Sequence, residues 1–371
     1  LNLRDYGRLY RKIMVDPDYR FLSLSVKEQI LQQLWVKSRP DYLELSRTLA
    51  EQYRQNPGHE PSLENLRLLR KVTATMWLNL DRDRLQKLYN AEGGKVNEII
   101  RNSGITEMAI ADGESELWER IKLQLSRGFT AETGGQLLLA AMLYRPAYQL
   151  PLHYQNAIVP DYLFDEFIRF LFSPVREFNQ VGDIENYVNF VSDIWDYLKR
   201  HIQTDSENSS LWVYVAKIAL ELWDGRPLLN VDGDVESILS DRDAVLDFYL
   251  PAIGHKIDYN FDQNNRRDNN KISVGILIDN LCLDDEILAV LAVYEKFNFY
   301  QFDIFLFFGT MEDDRLGNLC ASSFTGCMAL PTSLPERVQT LRRSNLDVAV
   351  IASDVTAEVN SYTQLARHRL A

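Results

Sequence analysis

The stretch 271–286, KISVGILIDNLCLDDE, decides the fold of the second half of this chain. Residues 272–278 form an uncharged, mostly apolar run, as expected of a central strand that is buried on both faces of a parallel sheet. Polar and acidic residues follow at once, and a helical pattern begins after them. A strand that leads into a helix in this way predicts a ligand crevice beyond the strand's carboxyl end.

The residues that follow repeat this alternation. Further strands are predicted at FDIFLFF (302–308) and LDVAVIA (346–352), a short strand at CMALP (327–331), and helices at EILAVLAVYEKF and LPERVQTLRRSN. This order predicts a Rossmann-like α/β domain with a parallel sheet over 271–371 and its first strand at 272–278. The candidate catalytic and substrate-binding residues are the small polar ones at the strand ends: Asp279, Asn280, Asp284, Asp285, Gly309, Thr310, Ser353, Asp354 and Thr356.

The loop after the first strand argues against three common kinds of site. A dinucleotide site needs G-x-G-x-x-G, whereas IDNLCLDDE has no glycine and four acids that would repel a pyrophosphate. Clustered acids could hold a hard cation, but acids at a helix start are favoured as caps and dipole partners alone, so we predict no metal. Cys282 has no histidine near it in sequence, which favours a structural thiol over a nucleophile.

Residues 1–255 are predicted to form an all-helical domain, and the polar stretch 256–270, KIDYNFDQNNRRDNN, a linker. Helical spacing is clearest in DIENYVNFVSDIWDYLKR (183–200). Its apolar residues form one stripe: Ile184, Tyr187, Val188, Val191, Ile194, Trp195 and Leu198. No residue pattern recurs with a period near 34, so a bundle is favoured over a solenoid of tandem helical pairs.

The composition and charge of the chain indicate which kinds of partner and which cellular compartment to expect. The 371-residue chain has a formal net charge of -13 and no lysine-rich run, which disfavours nucleic acid as a partner. No apolar run approaches the roughly 20 residues that a bilayer span needs. Three cysteines without the paired spacing of zinc sites indicate reduced thiols. We therefore expect a cytoplasmic protein without a membrane span.

One segment of the helical half is unusual. MLYRPAYQLPLHYQNAIVPDYLFDEFIRFLF (142–172) contains three prolines and several tyrosines between two predicted helices. The favoured interpretation is an extended crossing loop whose rings brace the helices. An aromatic groove for a peptide is the alternative.

Four segments together resemble a known family. VGILIDNLCLDDEILAVLAVYEKFNFYQFDIFLFF (274–308), LPERVQTLRRSNLDVAVIASDVT (334–356) and LARHRLA (365–371) are similar, in order and spacing, to the start of the catalytic region of SPINDLY-type O-linked N-acetylglucosamine transferases, particularly the bacterial members. The segment 142–172 resembles the helical region ahead of it. Bacterial cytoplasmic N-glucosyltransferases that modify adhesins are close relatives of this family.

The resemblance implies a GT-B fold, in which a first Rossmann-like domain largely serves the acceptor and a later one binds the nucleotide sugar. It implies transfer of N-acetylglucosamine or glucose from a UDP-sugar to Ser, Thr or Asn side chains of an acceptor polypeptide, with no cofactor required. The family's continuation after R-L-A would follow Ala371. The main donor site is therefore expected beyond it, and residues 1–371 alone are expected to be inactive.

One departure from the family affects the expected chemistry. Family members often carry a histidine in the loop after the first strand, and residues 279–286 contain none. Asp279, Asp284 or Asp285 could replace it as a base. The alternative is a noncatalytic protein-binding scaffold that keeps a degenerate transferase fold.

Overall fold

The computed structural model describes residues 23–371 apart from 129, 131–132, 153, 155–157, 176, 180, 206, 231–234, 260–270, 283–284, 295, 313–319 and 321–322. The helices are α1 (Leu24–Lys37), α2 (Arg39–Gln55), α3 (Glu60–Leu78), α4 (Arg82–Leu88), α5 (Gly94–Arg101), α6 (Asp112–Ser126), α7 (Gly134–Ala141), α8 (Phe164–Leu171), α9 (Asp183–Thr204), α10 (Ser209–Glu221), α11 (Val235–Ala252), α12 (Asp285–Tyr294), α13 (Leu334–Arg343) and α14 (Ser361–Leu365). The strands are β1 (Ile272–Leu281), β2 (Phe302–Met311), β3 (Gly326–Ala329) and β4 (Val348–Ile351).

The chain thus begins with helices and continues into a small parallel sheet, which confirms the coarse fold prediction. It divides into two compact units, Leu1–Val191 and Ser192–Ala371, and the division falls inside α9. The second unit therefore contains α10 and α11 together with the sheet. Of the predicted linker 256–270, residues 260–270 lie outside the described part of the chain.

The first unit has an aromatic core and a buried ion pair. Trp35 packs edge-on against Tyr42 and Trp77, with ring centroids 4.4 and 5.7 Å apart. Arg70 is fully buried and donates two hydrogen bonds to the Glu114 carboxylate. Removing both charges from water is costly, so this pair depends on its bidentate geometry.

The predicted stripe of α9 is buried except at its first residue. Six of the seven residues are at most 8% exposed, whereas Ile184 in the first turn is 36% exposed. The described tyrosines of the segment 142–172 pack against neighbouring rings, as the bracing interpretation predicts. The ring pairs are Tyr144 with Trp118, Tyr148 with Phe178 and Tyr187, Tyr154 with Phe190, and Tyr162 with Tyr89.

The sheet of the second unit has the order β3-β2-β1-β4, and every pair is parallel. The predicted parallel arrangement is confirmed. The first strand is three residues longer than predicted, because backbone pairing continues through Asn280↔Thr310 and Leu281↔Met311. Pairing with a neighbouring strand, and not side-chain polarity, determines where this strand ends.

Both faces of the sheet carry a hydrophobic core. On one face Ile276, Ile278 and Phe308 pack with Leu291 of α12. On the other, Leu277 and Phe307 pack with residues of α13 and α14. Side chains alternate between these faces along each strand, which decides the side on which each candidate residue lies. No helix in the described residues is long and apolar enough to cross a membrane.

Candidate functional site

The strand order identifies where a ligand crevice would form. The chain runs outward from β1 through β2 to β3, and then returns to the opposite side of β1 to form β4. The direction in which strands are added to the sheet therefore reverses between β1 and β4. In open parallel sheets, ligands bind beyond the carboxyl ends of the strands at such a point. We call the carboxyl ends of the four strands and the loops that follow them the carboxyl edge.

Asp279 and Asn280 are strand residues, and they lie on opposite faces of the sheet. On the Asn280 face, the Thr310 hydroxyl donates to Asn280 Oδ1 over 2.9 Å, and Asn280 Nδ2 donates to Glu312 Oε1 over 2.5 Å. These three side chains form a polar chain across the ends of β1 and β2. It can accept and donate hydrogen bonds, as recognition of hydroxyl or amide groups requires.

On the other face, Asp279 lies beside the residues that follow β4. Its backbone N–H donates to the Ser353 hydroxyl oxygen over 2.8 Å, and its side chain is exposed. The neighbouring strand approaches so closely that a Cβ atom on Gly309 would lie 2.7 Å from the Asp279 carbonyl oxygen. Only glycine fits there, because the Asp279 carbonyl oxygen, Asp279 Oδ1 and the Tyr362 hydroxyl lie 2.7, 3.1 and 3.4 Å from that Cβ position and fill the space beside it.

Tyr362, in α14, lies beneath this part of the edge. Its fully buried hydroxyl donates to the Ile278 carbonyl oxygen over 2.6 Å. Burial raises the pKa of the Tyr362 phenol to about 12; Arg337 lowers it, and the Asp279 carboxylate raises it further. The phenol is therefore a neutral donor throughout the physiological pH range.

The loop after β4, residues 352–360, carries the other candidates and is tightly hydrogen-bonded. Asp354 Oδ1 accepts the backbone N–H groups of Thr356 and Ala357 over 2.9 and 2.8 Å. Asn360 Nδ2 donates to the Asp354 carbonyl oxygen, and its Oδ1 caps α14. Asp354 thus serves as a turn cap in this structure.

Residues that precede the sheet in the same unit also hold this loop: Trp223 and Gly225, between α10 and α11, and Arg242 in α11. Trp223 Nε1 donates to the Thr356 carbonyl oxygen over 2.8 Å. Arg242 Nη1 donates to the carbonyl oxygens of Val355 and Thr356 over 2.7 and 3.2 Å. The backbone N–H of Gly225 donates to Ala357, and a Cβ atom on Gly225 would lie 2.4 Å from the Thr356 oxygen.

The structure thus brings Asp279 and Ser353 together and pairs Asn280 with Thr310, while Asp354 and Thr356 shape the adjoining loop. Asp284 lies outside the described residues, and Asp285 is described only as the first residue of α12. Within the described part of the chain, no group of three His, Cys, Asp or Glu side chains could hold a metal ion.

Sequence reasoning missed several residues at the edge. Glu312, Trp223 and Arg242 carry no signal in the local pattern. Arg337 does carry one, because it occupies a position on the apolar stripe that Leu334, Val338 and Leu341 define on α13. A charge on a buried helix face is the kind of exception that indicates a specific contact.

A surface groove of about 720 Å³ lies elsewhere, in the first unit, between α2 and α5. Arg47, Arg54 and Lys95 line it together with Glu51 and Glu98. The Arg54–Glu51 pair, 2.8 Å apart, is exposed on both sides. Because charges of both signs alternate there, the groove lacks the convergent polar chemistry of the carboxyl edge.

No protein-family model matches this chain, and the search of curated proteins finds no match either.

Proposed function

We propose that this chain is the acceptor-side portion of a GT-B protein glycosyltransferase, which transfers N-acetylglucosamine or glucose from a UDP-sugar to Ser, Thr or Asn side chains of a polypeptide. The observation that supports it best is the parallel sheet of order β3-β2-β1-β4 with small polar side chains at its carboxyl edge. This is the strand order of the first half of a doubly wound domain. The segments 274–308, 334–356 and 365–371, which resemble the SPINDLY-type family, include most of β1 and β2 and all of β4 of this sheet.

In this proposal Asp279 acts at the acceptor. Its carboxylate is exposed to solvent and can therefore be reached by an acceptor hydroxyl or amide. The carboxylate withdraws the acceptor proton as the acceptor attacks the sugar carbon, the bond from that carbon to the phosphate breaks, and UDP leaves. Asn280 and Thr310 bind polar groups of the substrate on the other face of β1, and the loop with Ser353, Asp354 and Thr356 borders the crevice. The UDP moiety is bound by a second α/β domain, so this edge needs no phosphate loop.

The second candidate is a noncatalytic scaffold, and one observation favours it. The Asp354 carboxylate oxygen and the Ser353 hydroxyl oxygen both accept backbone N–H groups of the protein itself. Groups used in this way stabilise the conformation of the loop after β4 and do not take part in turnover. A scaffold would bind a polypeptide at this edge and transfer nothing to it.

The test is sugar transfer by the full-length protein, measured by mass spectrometry of acceptor peptides with UDP-N-acetylglucosamine and UDP-glucose as donors. We expect Asp279→Asn to lower turnover about 10²–10⁴-fold, the usual effect of removing a general base. Asp193→Asn, an exposed carboxylate of the same unit on α9, is the matched control and should leave turnover unchanged.

Asp285→Asn separates the base role from the helix-cap role at the start of α12. Asparagine caps a helix about as well as aspartate, so a cap role predicts nearly unchanged stability and turnover in Asp285→Asn, whereas Asp285→Ala would lose about 0.5–2 kcal/mol of stability. Wild-type turnover in Asp279→Asn would refute Asp279 as the base. Peptide binding without transfer from either donor would refute the enzyme and favour the scaffold.

A further inference from the structure

Arg337 is a buried cation whose contacts with the described residues are all with electrically neutral groups. The residue is 8% exposed. Its Nε donates to the Pro331 carbonyl oxygen and its Nη1 to the Ser361 hydroxyl, both over 2.6 Å. The guanidinium carbon lies 5.5 Å from the centre of the Tyr362 ring. These contacts fix the guanidinium in place, and none of them supplies a counter-charge; the Asp279 carboxylate acts on the same Tyr362 phenol without pairing with Arg337 in the described part of the chain.

The other deeply buried arginines of the described chain are treated differently. Arg70 is paired with Glu114, and Arg242 with Asp243 at 2.8 Å. Buried charges are normally paired because taking an isolated ion out of water is expensive. Among the described residues no carboxylate forms an ion pair with Arg337, although Glu336, the preceding residue, is an exposed acid.

Donor groups of Arg337 also remain without acceptors. A guanidinium has five N–H groups, and the described contacts use one on Nε and one on Nη1. In the described part of the chain Nη2 has no hydrogen-bond acceptor. The unused N–H groups are available to an external acceptor with two oxygens, the geometry that carboxylate and phosphate share.

The start of α13 adds to the positive potential at the same place. This ten-residue helix begins just after β3, at the carboxyl edge, and its N-cap residue Ser333 is exposed and makes no side-chain capping bond. The first N–H groups of a helix lack internal partners, and the helix dipole is positive there. The Arg337 side chain runs back toward this end, as its bond to Pro331 shows.

We propose that Arg337 and the first turn of α13 form a binding site for an oxyanion, a phosphate or a carboxylate group, beside the candidate acceptor crevice. Nη2 of Arg337 donates to the anion, and Ser333 and the backbone N–H groups of Leu334 and Glu336 complete the site, because Pro335 between them has no N–H. The anion has two sources with the same chemistry: a phosphoryl group of a substrate, or an acidic side chain of a bound polypeptide. The proposal holds whether or not the protein transfers a sugar.

The experiment is isothermal titration of the protein with inorganic phosphate and, separately, with acetate, at constant ionic strength. We expect saturable phosphate binding that Arg337→Met weakens by about tenfold or more, the effect of losing a charged hydrogen bond. Arg343→Gln removes an exposed arginine from the last turn of the same helix and should leave the affinity unchanged. Binding of phosphate alone assigns the site to a phosphoryl group, and equal binding of acetate assigns it to an acidic side chain.

The proposal is overturned if neither phosphate nor acetate binds. It is also overturned if Arg343→Gln and Arg337→Met weaken binding equally, because this would indicate a diffuse charge effect. Arg337→Lys retains the positive charge but loses the two-pronged donor geometry of the guanidinium. It replaces Arg337→Met in this test if the methionine variant does not fold. A measurement on the unaltered protein completes the test. Crystals soaked in tungstate should show anomalous scattering next to Nη2, and tungsten found only elsewhere would contradict the site.

Discussion

Replacing Tyr362 by phenylalanine deletes one hydroxyl at the carboxyl edge and keeps the ring in its core. The hydroxyl donates to the Ile278 carbonyl oxygen over 2.6 Å and is fully buried, so the substitution removes one buried hydrogen bond. A neutral bond of this kind contributes about 0.5–1.5 kcal/mol, and a buried group left unsatisfied costs about 1–3 kcal/mol. We therefore expect Tyr362→Phe to lower the free energy of unfolding by about 1–2 kcal/mol.

Urea unfolding at neutral pH, followed by circular dichroism, measures this loss. Tyr300→Phe is the matched control, because Tyr300 is 91% exposed and its hydroxyl is hydrated, so its effect should stay within about 0.5 kcal/mol of zero. If Tyr362→Phe is as stable as Tyr300→Phe, the bond to Ile278 does not hold the edge together, and the reasoning fails.

The same pair of variants gives a pH test. Burial raises the pKa of Tyr362 to about 12, above the value of about 10 for an exposed phenol. The stability that the neutral phenol contributes is then fully present below pH 10 and is lost as the pH rises toward 12. The stability difference between the wild type and Tyr362→Phe should therefore be constant up to about pH 9 and shrink above pH 10. A difference that shrinks below pH 8 would contradict the assignment.

Three further predictions concern the loop, the buried ion pair and the nucleotide. Gly225→Ala places a Cβ atom 2.4 Å from the Thr356 carbonyl oxygen, so backbone hydrogen exchange in the loop after β4 should become faster. Gly113→Ala is the control and should not change this exchange, because no atom lies within 4 Å of its Cβ position. Glu114→Gln leaves Arg70 buried without a counter-charge and should cost about 3–5 kcal/mol of stability in urea unfolding, and a loss below 1 kcal/mol would contradict this account of the pair. Because the proposed function assigns the nucleotide to another domain, calorimetric titration of the Arg337→Met variant of residues 1–371 with UDP should show no saturable binding below roughly millimolar concentration. Micromolar binding by this variant, which lacks the proposed oxyanion site, would contradict that assignment.

The sheet could be predicted from sequence because its signal is local. An uncharged run such as 272–278 predicts a strand that is buried on both faces of a sheet. The alternation of such runs with helices predicts that the strands are parallel. The strand ends could not be predicted in the same way. Asp279 and Asn280 look like loop residues, yet β1 continues through them because Thr310 and Met311 extend the pairing from the next strand. Information about the partner strand is absent from the local pattern.

The candidate site shows the same limit more strongly. Asp279 and Ser353 could be predicted to meet, because the ends of parallel strands share an edge. Tyr362 and Arg337 could not, since they reach the edge from helices whose positions depend on packing. Arg337 was visible only as a charge on an apolar stripe, which indicates burial without identifying the contact.

The contacts around the loop after β4 change how the helical region relates to the site. Trp223 and Arg242 donate three hydrogen bonds to two consecutive carbonyl oxygens of that loop, and α11, which carries Arg242, belongs to the same compact unit as the sheet. Those carbonyl oxygens belong to Val355 and Thr356, which follow Ser353, the residue at which the Asp279 N–H ties the loop to β1. Trp223, between α10 and α11, and Arg242 of α11 therefore contribute to the position of Thr356 relative to Asp279. Substitutions in α11 should act on the carboxyl edge without contacting any ligand there, which makes them positioning changes and not catalytic ones.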